Sequence, residues 1–269
     1  MHGIMKRRSI VFLAPALLLV ESAIVAQSEG AAVQPKTEHG AREIGGTWER
    51  YPMQFAGLGS DPSAPPVPQP IPAPPLKPEY YGPWRAAQDE AAALSRAGIP
   101  PATNYTHCIG EGMPGMMQAM FPMEVLDTGD QVTIIQEAYN QVRRIYVGEE
   151  PPPAEDAEPR FAGHSGARWE GDTLVIETTG IKEHVGFRNV PHSPNLRITE
   201  RIRLLPDRDY MQNEITVTDP EYFAEPWKWT WMYKRWPGYK MQEYICEKNL
   251  WGADEAGAAT LTIDDLGQD

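Results

Sequence analysis

From Glu124 to Cys246 the chain is a succession of short segments in which apolar and polar residues alternate, each cut off by turn residues. A period of two puts successive side chains on opposite faces of an extended strand, so this stretch can form little other than antiparallel sheet. Residues 132–138 and 142–147 flank Tyr139-Asn140-Gln141, residues 166–170 and 173–179 flank Gly171-Asp172, and residues 196–205 and 210–218 flank Pro206-Asp207-Arg208-Asp209. Segments 227–235 and 241–246 follow, and residues 46–51 form an earlier short strand within a segment 46–60. The pattern predicts a mainly β domain of about eight or nine strands joined mostly as consecutive hairpins. That arrangement is an antiparallel up-and-down barrel or a curled meander. One N-terminal helix accompanies it over residues 83–97, with Pro83 in its first turn, alanines in its middle, and Gly98 and Pro100 to stop it.

The segments before and after this β stretch read differently. Residues 1–26 have a basic start (Lys6, Arg7, Arg8), an apolar run over 10–20 and small residues before a cut after Ala26, the three parts of a secretory signal. Arg7-Arg8 also admits twin-arginine export beside the general secretory route. Residues 27–45 are a polar, aperiodic lead-in expected to be disordered. Residues 61–78 carry proline at nearly every second position, which removes backbone donors and favours an extended polyproline spacer or a wrap across the surface. The helix and barrel then occupy residues 79–250, and residues 251–269 form an acidic tail expected to be disordered. No later segment approaches the roughly 20 apolar residues of a membrane helix, so the mature protein is expected to be soluble and periplasmic or secreted.

A formal net charge of −13 argues against nucleic acid or anionic lipid as a partner, because phosphate recognition needs concentrated Lys and Arg. Cys108 and Cys246, an even pair in an oxidising compartment, are expected to be bridged. Two unpaired buried thiols, or a metal ligand at Cys108, are the alternatives.

Three strands place unusual residues on definite faces. Alternation over 227–233 puts Trp227, Trp229, Trp231 and Tyr233 on one face, either a barrel interior or a wall for a substrate. In residues 196–204, Leu196, Ile198, Ile202 and Leu204 share a face with Glu200. A carboxylate on an apolar face must be paired, hydrogen-bonded or protonated, and burial raises its pKa toward the range of acid-base chemistry. Glu200 is thus a candidate catalytic residue, and a structural pair with an arginine, Arg144 being the candidate, is the alternative. His107, His164, His184 and His192 all fall in loops or at strand ends. His192, just upstream of the Glu200 strand, could exchange protons with it, and three histidines could instead converge on a metal, although no HxH or HxxxH spacing supports one. Met113, Met116, Met117, Met120 and Met123 read as adaptable apolar filler at one end of the barrel, with copper(I) handling as the other use of such a cluster. Nucleophile elbows and phosphate-cradling glycine loops do not occur.

Residues 163–180, together with Arg143-Arg144-Ile145-Tyr146, Pro191-His192-Ser193, Glu200-Arg201, Thr218-Asp219-Pro220, Pro226-Trp227 and residues 243–247, resemble a large, mostly uncharacterised family of exported bacterial proteins. The likeness spans nearly everything from Trp48 to Asn249, and it implies export without implying an activity. One departure is the stretch Gly148-Glu149-Glu150-Pro151-Pro152, which is usually longer in that family. By architecture the β-meander, aromatic wall and pocket carboxylate are similar to lipocalin and calycin barrels, which bind hydrophobic small molecules and in some cases isomerise, hydrate or cyclise them.

Two functions follow from these residues. One is an exported lyase, isomerase or hydratase needing no cofactor and acting on an aromatic or polycyclic substrate. In it His192 and Glu200 would move protons, Arg144 would steady an oxyanion, and Trp227, Trp229, Trp231 and Tyr233, with His164 and His184, would hold the substrate. The other is a non-catalytic binding protein for a hydrophobic ligand or a metal.

Overall fold

The computed structural model describes residues 43–52, 64–99, 104, 108–246, 251–253 and 259–261. The segments read as signal peptide and lead-in, apart from residues 43–45, lie outside the described residues, as do His107 and most of the acidic tail. Within that tail two three-residue strands, Trp251–Ala253 and Ala259–Leu261, pair with each other as a separate two-stranded sheet.

Nine strands close into a barrel in strict chain order. They are β1 (Gly46–Tyr51), β2 (Met123–Asp127), β3 (Gln131–Gln136), β4 (Gln141–Val147), β5 (His164–Glu170), β6 (Thr173–Thr179), β7 (Arg197–Leu204), β8 (Tyr210–Thr218) and β9 (Trp227–Arg235). β9 returns to β1, pairing Trp48 with Arg235 and Tyr51 with Met232. An odd number of strands cannot close with every neighbour antiparallel, so one pair must run the same way. That pair is β4 and β5, matched in parallel from Ile145 opposite Ser165 to Val147 opposite Ala167. Consecutive hairpins were expected here; residues 148–163 instead carry the chain back along the barrel before β5 begins. Gly166 makes this possible, because a Cβ there would stand 2.3 Å from the Glu149 carbonyl oxygen.

Two seams of the wall are only partly zipped. β1 and β2 pair only from Gly46 opposite Val125 to Trp48 opposite Met123, leaving residues 49–52 and 118–122 to diverge. Residues 141–144 and 160–164 diverge in the same way ahead of the parallel pairing.

Side-chain parity fills the interior. β7 alternates with Ile198, Glu200 and Ile202 buried and Arg197, Arg201 and Arg203 exposed. β9 buries Trp227, Trp229, Trp231 and Tyr233. Met113, Met116, Met117 and Met123 are buried in the same core and fill it as expected, while Met120 is exposed. Outside, Arg168, Arg197 and Arg201 lace β5, β6 and β7 to Glu170 and Glu177 at 2.9 to 3.3 Å. Each such exposed pair contributes little, because water and salt screen it.

The proline-rich stretch is a strap fixed by its remaining backbone groups. Pro65 and Pro72 carbonyls accept from the Tyr51 hydroxyl and the Trp227 indole N–H, and the Pro75 carbonyl accepts from Ala224 N–H. The helix α1 spans Pro78–Arg96, five residues earlier than expected, because Pro78 takes the first-turn position and Pro83 is accommodated within it. None of its residues is buried. Residues 241–246, read as a strand, instead run without regular structure along the barrel. Glu137 holds this segment, its Oε2 accepting from Tyr239 Oη and Gln242 N–H at 2.7 Å.

Candidate functional site

A layer of polar side chains crosses the barrel interior, one from each strand in turn. Arg143 on β4 donates from Nε to Ser165 Oγ on β5 (3.2 Å), and from Nη2 to Thr178 Oγ1 on β6 (2.9 Å) and Glu200 Oε2 on β7 (2.5 Å). Asn213 on β8 donates to Glu200 Oε1 at 2.9 Å. Arg143 and Glu200 are 1% and 0% exposed, so both charges are fully withdrawn from water. Glu200 therefore faces inward with Ile198 and Ile202, as its parity predicts, and both its oxygens are already engaged. The arginine that meets it is Arg143, not Arg144. Inward parity on β4 belongs to Gln141, Arg143, Ile145 and Val147, and Arg144 points outward with Val142 and Tyr146. The sequence left this parity ambiguous, because Val142 and Tyr146 are apolar yet 42% and 43% exposed.

Tyr233 on β9 extends the layer, its hydroxyl donating to the Met117 carbonyl at 2.5 Å. Burial first, and then the Glu200 charge, push this phenol well above its ordinary range, against the lowering effect of Arg50. Four buried atoms of this region, Arg143 Nη1, Asn213 Oδ1, Trp229 Nε1 and Trp231 Nε1, have no partner among the described residues.

His192 stands elsewhere. Its ring is buried, with Nδ1 2.9 Å from the Ser193 carbonyl and Nε2 3.2 Å from that of Val185. The buried Asp219 carboxylate fixes its loop by accepting from Ser193 N–H and Oγ and from the N–H groups of Glu221 and Tyr222. His192 and Trp227 line a cavity of about 20 Å³, room for about one water. Phe187 closes over the indoles, stacked on Trp229 at 5.6 Å and edge-on to Trp231 at 5.7 Å. His192 and Glu200 thus share no hydrogen bond, and the indole row is packed as barrel core.

A cleft of about 960 Å³ lies on the outside where β4 and β5 diverge. Its walls are the outward residues Val142, Arg144 and Tyr146, the returning segments 149–152 and 160–165, and residues 108–110 with Tyr244 and Cys246. Cys108 and Cys246 are joined, with Cα atoms 5.5 Å apart, and this bridge clamps two of the walls together. Such a pair fits an oxidising extracellular compartment. Tyr139 and Tyr244 meet across the cleft with ring centroids 4.9 Å apart. Tyr139 and Asn140 both adopt the left-handed conformation that turns them toward it, and Asn140 Nδ2 donates to the Tyr244 carbonyl at 2.9 Å. Burial, then the Tyr244 hydroxyl, then the Glu111 charge lift the Tyr139 phenol above its ordinary range. Glu111 itself is pushed up to about 7 by burial. Arg144 makes no ion pair among the described residues.

Of the residues expected to form a site, Arg144 and His164 line this cleft, His164 with Nε2 2.8 Å from the Glu158 carbonyl. His184 is exposed and edge-on to Phe161, another lining residue, at 5.4 Å. Among the described residues no three His, Cys, Asp or Glu side chains are grouped to hold a metal. No helix among them is long and apolar enough to cross a membrane. The aromatic lining residues Tyr139, Tyr146, Phe161 and Tyr244 were missed by sequence reasoning, which looked for aromatics in a row along one strand. These come from the turn before β4, β4 itself, the return segment before β5 and the segment after β9, so they share no one strand.

No family model matches the chain, and no curated protein matches its sequence. Among solved structures the chain is similar to one described as "REP1-NXSQ fatty acid transporter", at 15% identity over 51% of this chain and 90% of that one, with a TM-score of 0.27.

Proposed function

We propose that this is an exported, non-catalytic binding protein for a small molecule with an aromatic or otherwise apolar body, held in the cleft between β4 and β5. The observation that carries the reading is the cleft itself, about 960 Å³ and walled by Tyr139, Tyr146, Phe161 and Tyr244, with the Arg144 guanidinium, which makes no ion pair among the described residues, beside them. Its volume falls within the roughly 300–1,000 Å³ of small-molecule sites, and aromatic walls with a few polar groups are their usual lining. Export is supported by the basic, apolar and small-residue parts of residues 1–26 and by the bridged cysteines. Segments 143–146, 163–165 and 244–246, which carry the resemblance to a family of exported bacterial proteins, all border this cleft, and that supports reading it as the site.

An acid-base mechanism at Glu200 has less support. Its oxygens are committed to Arg143 and Asn213, and His192 lies in a different cavity. The test is native mass spectrometry, with elemental analysis, of protein purified from its own periplasm. A bound organic mass is expected, lost in Tyr244→Ala and weakened in Arg144→Ala. Material with no bound mass, or one that both variants keep, removes the cleft as the site.

A further inference from the structure

A second opening in the wall has its own chemistry. Where β1 and β2 diverge beyond Trp48, Glu49, Arg50, Pro52, residues 67–71 and 118–122 and Trp236 enclose a cavity of about 270 Å³. Four large apolar side chains around it are exposed: Val67 (56%), Met120 (42%), Phe121 (39%) and Trp236 (36%). Exposed apolar side chains gathered at one concave place mark a binding site, whereas scattered ones carry no such meaning.

The cavity also holds one cation set among apolar walls. Arg50 is half-buried on the inward face of β1, its guanidinium 5.2 Å from the Trp231 ring and its Nη1 donating to the Gln118 carbonyl at 3.2 Å. It makes no ion pair among the described residues. Glu49, the other charged lining residue, lies opposite Lys234 across the β1–β9 seam, and burial raises its carboxyl pKa against the lowering effect of the Lys234 charge. A half-buried guanidinium with spare donors and apolar neighbours favours a carboxylate over any neutral or cationic group, because the charge-assisted bond forms where little water competes.

From this geometry we infer that the β1–β2 opening binds a small amphiphilic carboxylate, its acid group on Arg50 and its apolar body between the proline strap and Met120, Phe121 and Trp236. The volume sits just below the roughly 300 Å³ at which drug-sized sites begin, so the occupant is a short chain or a single ring system.

The probes are octanoate and octan-1-ol, which share the apolar body and differ in the head group, titrated calorimetrically into the full mature chain. Octanoate is expected to bind about tenfold or more tighter than the alcohol, as a charge-assisted hydrogen bond implies. Arg50→Gln should erase that preference while alcohol binding persists. Should Arg50→Gln fail to fold, Met120→Asp on an exposed side chain puts a negative charge at the rim. Octanoate affinity is then expected to fall by about tenfold or more, with a smaller loss for the alcohol. Arg203→Ala, on the exposed outer face of β7, should leave octanoate binding as it was. Equal affinities in the parent protein, a preference that survives Arg50→Gln, octanoate affinity unmoved by Met120→Asp, or loss of binding in Arg203→Ala would each overturn the inference.

Discussion

Glu200→Gln replaces a carboxylate by an amide of the same shape and so isolates its charge. In the parent protein Arg143 and Glu200 are 1% and 0% exposed, and Glu200 accepts one charged hydrogen bond and one from Asn213. The glutamine side chain has one acceptor oxygen and one amide that only donates, so either Arg143 or Asn213 is left facing a donor. Arg143 is meanwhile left as a buried cation without a counter-ion. Breaking such a pair from one side costs about 3–5 kcal/mol, since the remaining charge keeps its desolvation penalty and loses its compensation. For a domain of this size each kcal/mol moves the melting temperature by about 2–4 °C, giving a drop of roughly 6–20 °C. Thermal unfolding followed by far-UV circular dichroism, with urea titration for the free energy, measures it. Arg143→Met combined with Glu200→Leu should recover most of the loss, because a buried pair can often be exchanged for apolar side chains at little cost. A Glu200→Gln variant that melts within about 2 °C of the parent would refute the electrostatic account of this layer.

Replacing both Cys108 and Cys246 by serine removes the constraint on a separation of 138 residues. On the loop-entropy relation this lowers unfolding free energy by up to about 5 kcal/mol, and a urea midpoint unchanged in the double variant would exclude it. Gly166→Ala sets a Cβ 2.3 Å from the Glu149 carbonyl oxygen, so the 149–152 segment must move away from β5. The variant should lose both stability and ligand mass by native spectrometry, and an unaltered melting curve would show that the return path is not packed as described. Glu111 has a carboxyl pKa lifted by burial from 4.5 to about 7, so the unfolded chain releases this proton first. The stability it contributes is complete below about pH 4.5 and lost as pH rises through about 7, a change of about 3 kcal/mol. Glu111→Gln should flatten that part of the pH–stability curve, and an equally steep curve in the variant would disprove it.

Barrel topology was legible because strand parity and turn chemistry are local. The hairpins β2–β3, β3–β4, β5–β6 and β7–β8 are each specified by their own segments, and Glu200 faces inward because its strand alternates cleanly. Three features were not legible, for physical reasons that particular residues show. Parity on β4 could not be assigned from Val142 and Tyr146, because their exposed apolar side chains gain their neighbours only from distant segments, and so Arg144 was read for Arg143. The parallel β4–β5 pair is dictated by ring closure, a property of the whole set of strands. The large cleft is assembled from residues 108–110, 139–142, Arg144, Tyr146, residues 160–165, Tyr244 and Cys246, which no window of sequence can bring together.

The last hydrogen-bonded seam to have both its partners available is the one between β1 and β9. Arg235 reaches back to the Gly45 carbonyl across 190 residues, and Trp48, stacked against the same guanidinium at 4.2 Å, sits where the two ends of the barrel meet. A chain that emerges amino-end first holds β1 unpaired on that side until β9 has appeared, and the entropy of closing so long a loop must be met before the contact returns anything. During vectorial emergence the open edge of β8 or β1 is therefore a template for pairing with other chains. The proline strap, whose Pro65 carbonyl accepts from the Tyr51 hydroxyl, is synthesised directly after β1 and can shield that edge while the remaining strands arrive.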